Sequence, residues 1–69
     1  MGWWQTAAGR VIGDAAADYI EELARMGQVF VEPSEFPRHV REHLDALYVD
    51  GLGREPTETE LSELLAFCR

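Results

Sequence analysis

Apolar positions recur along this chain with a helical period in three segments, and short runs that break the period separate them. In AAADYIEELARM, residues 15–26, Ala16, Ile20 and Leu23 mark one face. Tyr19 and Ala24 widen that stripe, while Asp18, Glu21, Glu22 and Arg25 fall mostly elsewhere. Asp14 is placed to cap the amides of the first turn, and Gly27 to close the last one in a left-handed conformation. The second pattern, residues 35–50, puts Phe36, Val40, Leu44, Leu47 and Tyr48 on one stripe, with Ser34 as its cap and Pro37 tolerated in the first turn. Asp50-Gly51-Leu52-Gly53 stops it. The third, residues 58–68, follows Thr57 and Glu60, which have the spacing of a capping box, and buries Leu61, Leu64, Leu65 and Cys68.

Residues 1–13 lack this period. Gly9 and Gly13 punctuate them, so the stretch reads as an extended arm or hairpin. Val29, Phe30 and Val31, ahead of Pro33, also favour extended backbone. The expectation is a mainly α protein: a single domain over residues 1–69, a small three-helix bundle with an extended N-terminal arm. A short two-stranded β element pairing residues 3–12 with 28–32 fits the same pattern.

Composition then limits how such a bundle holds together. A domain of 69 residues buries only about 60% of the surface its unfolded chain exposes. Cys68 is the one cysteine, so no disulfide within the chain adds support, and a single thiol suits a reducing, cytoplasmic setting. No apolar run approaches the roughly 20 residues of a membrane span, and the first residues lack the basic stretch and apolar run of a secretory signal. Thirteen carboxylates face six arginines and no lysine, for a net charge of −7. That balance repels nucleic acid and anionic membrane, and attracts a basic partner.

Candidate chemistry is sparse. HVREH, residues 39–43, sets His39 and His43 at i and i+4, a spacing that lets two imidazoles share a metal ion. The string also matches the H-x-x-E-H signature of the inverted zinc peptidases. Such a site needs a third ligand and a substrate cleft, which a chain of this size can hardly form, so His39 and His43 are weak metal candidates and no cofactor is expected. Cys68 falls on an apolar helix face and reads as a small hydrophobe. The glycines lack the spacing and lysine of a phosphate loop.

Two adjacent tryptophans, Trp3 and Trp4, are the strongest hint of a contact surface, because an indole left exposed anchors many interfaces. Tyr48, Leu52 and Phe67 join them as candidates at the margins of their stripes. The sequence therefore leads to a non-enzymatic, acidic protein–protein interaction module: a regulator, inhibitor or accessory subunit that binds a protein partner or self-associates through an apolar, aromatic patch. Two alternatives accompany it. One is an acidic mimic of nucleic acid that inhibits a DNA- or RNA-binding protein; the other is a metal-dependent homo-oligomer held through His39 and His43.

Overall fold

The structure, a computed structural model, describes residues 3–68 and, for Trp3, the backbone alone. It is a three-helix bundle, with no strand among the described residues. A single 3-10 turn, Trp3–Gln5, leads into helix α1, Ala7–Arg25. A connector with a second 3-10 turn, Pro33–Glu35, precedes α2, Arg38–Leu52, and α3 spans Glu58–Cys68.

The expected arm over residues 1–13 is thus largely helix, its first two residues lying outside the described range. Thr6, not Asp14, caps α1: its hydroxyl oxygen accepts from the Gly9 amide at 2.9 Å. Gly9 and Gly13, which the pattern treats as breaks, extend the buried stripe of α1, Gly9, Ile12, Gly13, Ala16, Ala17, Ile20 and Leu23. Each glycine weakens the helix by about 1 kcal/mol relative to alanine, and packing explains Gly13. The Trp4 side chain lies where a Cβ on Gly13 would stand, so the 3-10 turn folds back onto α1 only because that position has no side chain.

At its other end α1 closes as expected. Gly27 has φ 90°, the Gln28 amide donates to the Leu23 carbonyl at 2.9 Å, and the Gly27 amide donates to Ala24 at 3.0 Å. These two bonds form a Schellman motif. Residues 28–32 do not pair as a strand. The amides a ladder would need go instead to the Glu35 carboxylate, which accepts from Val31 at 2.9 Å and Glu32 at 2.7 Å. Phe30 meets Phe36 edge to face at 5.1 Å, which pins the connector under the helices. Ser34 belongs to this turn and does not cap α2; Pro37 occupies that position. The α2 helix continues through Gly51 and Leu52 before Gly53, at φ 74°, ends it. Gly51 lies inside the helix, and the Ile12 side chain of α1 fills the space that a Cβ there would take.

The core is one cluster. Helix α1 gives Ile12, Ala16, Ala17, Ile20 and Leu23; α2 gives Val40, Leu44 and Tyr48; α3 gives Leu61, Leu64 and Leu65. Among the described residues Glu60 is the one buried charge. The capping box read from the sequence supplies its first partners: its carboxylate accepts from the Thr57 amide at 3.0 Å, and its own amide donates to the Thr57 hydroxyl at 3.2 Å. The Arg54 guanidinium completes the set, donating to both carboxylate oxygens, 2.9 Å on the Nη2 side. Such a fork satisfies a buried carboxylate in a way that a point charge cannot. Beneath it, Tyr48 is fully buried, and its phenol is pushed well above the usual range, first by burial and second by the Glu60 charge. Arg41 and Glu58, 2.8 Å apart, tie α2 to the start of α3 on the surface.

Two outcomes are expected. With Trp3 replaced by phenylalanine so that Trp4 alone reports, Gly13→Ala expels the indole from its seat. Its emission shifts to the red, and the domain loses about 1 kcal/mol net of the gain in helix propensity; an unchanged spectrum would mean that the ring does not rest there. For Glu60, the Arg54 bonds hold the carboxyl below its ordinary value of 4.5. A group depressed in the folded state stabilises above its unfolded value, and that stability is lost as pH falls through the folded one. Glu60→Gln should therefore melt about 5 °C below wild type at neutral pH, and the gap should close as the pH is lowered beneath 4.5.

Candidate functional site

The 3-10 turn and the capped start of α1 fix where Trp4 goes. Its indole covers Gly13 and meets the Phe67 ring from the last turn of α3, with centroids 4.7 Å apart and planes tilted by 35°. Trp4 is half-buried and packs on the core, while Phe67 leaves 51% of its surface exposed. Helix α1 thus supports an aromatic pair with one ring seated and one presented, a pair worth roughly 0.5–1.5 kcal/mol beyond its area burial.

Of the five residues that the sequence nominates for this surface, the structure brings Trp4 and Phe67 together. The Trp3 side chain lies outside the described residues. Tyr48 is corrected: it has no exposed surface and is the largest fully buried side chain, because a stripe of Val40, Leu44 and Tyr48 points wholly inward. Leu52 is half-buried against the core at the end of α2.

The two histidines stay on the exposed side of α2. His43 stacks on Tyr19 of α1 with centroids 4.0 Å apart. The carboxylates that flank His39 and His43 are engaged elsewhere: Glu35 takes two backbone amides, and Glu42 pairs with Arg38 at 3.0 Å. Among the described residues no three metal-ligating side chains converge.

Sequence reasoning misses a second feature. An apolar hollow of about 210 Å³ opens between α1, the connector and α3. Ile20, Ala24, Val29, Phe30, Leu65 and Cys68 form its walls, with Glu21 and Gln28 beside them. Its signal was the run Val29-Phe30-Val31, whose residue types favour extended backbone but whose valines are left exposed. Cys68 is half-buried here, and its thiol is pushed up by burial in apolar surroundings and by the Glu21 carboxylate, the opposite of an activated nucleophile.

Comparison with protein-family models, curated proteins and solved structures finds no match. No helix among the described residues is long and apolar enough to cross a membrane.

The thiol gives a direct check of the hollow. Alkylation of Cys68 by iodoacetamide at pH 7.5 should run slower in the folded protein than in the urea-unfolded chain, with the folded rate still rising past pH 9, the ordinary thiol value. Equal rates in the two states would mean that the thiol is not in the hollow.

Proposed function

We propose that this chain is a non-enzymatic protein-binding module, a small acidic regulator, inhibitor or accessory subunit that meets its partner through Trp4 and Phe67. The observation that carries the reading is the half-exposed Phe67 ring held in place by Trp4. Rigid aromatic side chains lose little conformational freedom on binding, and they dominate the energetic centres of interfaces. A ring already stacked on a seated neighbour enters a partner's pocket with its orientation fixed, which lowers the ordering cost of association.

Charge supports the same reading. Thirteen carboxylates against six arginines speed encounter with a basic surface and disfavour contact with nucleic acid or anionic lipid. The raised Cys68 thiol favours binding over covalent catalysis. A reducing, cytoplasmic setting suits the lone cysteine.

Phe67→Ala tests the reading. The variant should stay folded, losing about 1 kcal/mol of stability with the stack. Affinity capture from the cells that make the protein should lose proteins that wild type and a Val11→Ala surface control retain. If Phe67→Ala captures the same proteins in the same amounts, the aromatic pair is not the contact surface.

A further inference from the structure

The hollow beside α3 is a second surface, and it lies next to a concentration of negative charge. Glu21 borders it and also borders an open polar groove over the outer face of α1, where Asp18 and Glu22 face Arg25, Tyr19 and His43. One carboxylate therefore joins an apolar cavity to an acidic strip. Its wall carries exposed apolar surface as well: Val29 is 72% exposed, and nearby in the chain Met26 and Val31 are mostly exposed. In the connector Glu35 holds the Val31 and Glu32 amides, and Phe30 and Phe36 hold each other.

Size and charge together select an occupant. Small-molecule sites usually enclose at least about 300 Å³, more than the 210 Å³ here. An apolar cavity of roughly 150 Å³ accepts a benzene-sized group, so this one suits a single bulky apolar side chain. That side chain would arrive on a segment whose neighbouring positions face Glu21, Glu22 and Asp18. A second copy of this chain, at a net charge of −7, would bring like charge to that strip. A basic segment brings the opposite charge.

We propose that this face docks a basic amphipathic helix of a partner protein, which inserts one bulky apolar side chain between Ala24, Val29 and Leu65 and sets its lysines or arginines against Glu21 and Glu22. The mode is that of a helix laid in a groove, with an apolar anchor for affinity and charged flanks for register. It does not rest on the role given to Trp4 and Phe67, and it adds a partner chemistry that the aromatic pair alone does not specify.

The probe is an amidated peptide of about 14 residues built from leucine and lysine, with its leucines at helical spacing. Two companion peptides replace lysine by glutamate or leucine by serine. Binding is read by fluorescence anisotropy and by amide shifts of the labelled full chain. Ala24→Trp plugs the hollow from an exposed position on α1, and Glu21→Lys reverses the shared charge. The leucine–lysine peptide should bind wild type and shift the amides of Ala24, Val29 and Leu65. Each variant should weaken it about tenfold or more, the scale of losing one anchor. Both companion peptides should fail.

The proposal is overturned if wild type does not bind, if the serine–lysine peptide binds equally, or if folded Ala24→Trp binds as wild type does. Loss with Phe67→Ala and not with Ala24→Trp would place the peptide on the aromatic pair, overturning this proposal and leaving the earlier reading intact. A concentration-dependent dimer in sedimentation that Ala24→Trp abolishes would give the hollow to a second copy, and would also overturn it.

Discussion

The close approach of side chains to the small-residue face of α1 is the constraint on which the rest of this bundle depends. Gly9, Gly13, Ala16 and Ala17 leave room for neighbours to settle almost against the α1 backbone. Trp4 uses the space at Gly13, and the reciprocal fit of Ile12 against Gly51 lets α2 close in from the other side. Two glycines inside one helix would be a liability in an isolated peptide. At Gly13 helix propensity is sacrificed for a dense core, the resource that a chain with few residues and no disulfide most needs.

Charge is handled in the same economical way. Most carboxylates stay in water, where they weigh little on stability. Glu60 is drawn under the surface, and only because three groups converge on it: the Thr57 amide and the two arms of Arg54. The same residue sits in the first turn of α3, pushes the Tyr48 phenol up by its charge and, through Arg54, ties the α2–α3 connection to the core. One buried carboxylate thereby couples a helix cap to tertiary packing, and its protonation in acid weakens both.

The sequence made the helices legible wherever a local rule sufficed. The Thr57–Glu60 box, the left-handed Gly27, and the stripes through Leu23, Leu44 and Leu64 all stand where the pattern puts them. It misled where a residue acts through a distant partner. Gly13 looks like a break until Trp4 is seen over it. Val29 and Val31 look like a strand until Glu35 is seen holding the amides of Val31 and Glu32. Tyr48 looks marginal because its ring closes the core from the far end of a stripe, and that needs α3 in place. Within the candidate site, Trp4 was visible as a large apolar residue with no helical stripe of its own. Its pairing with Phe67, 63 positions away, follows only from the crossing of α3 over α1.

The two surfaces proposed for binding share one physical origin. On one flank of α3 the small face of α1 seats Trp4 and lifts Phe67 into solvent; on the other the connector stands off and leaves the hollow lined by Cys68. Both depend on α1 being a continuous helix from Ala7, passing through both glycines. The most direct test is the NMR spectrum of the labelled chain. Helical Cα shifts across residues 7–14, with nuclear Overhauser contacts from the Trp4 indole to the Gly13 Hα protons and the Phe67 ring, are the result this account predicts. Extended shifts over that stretch, with no contact between the Trp4 indole and Gly13, would contradict it.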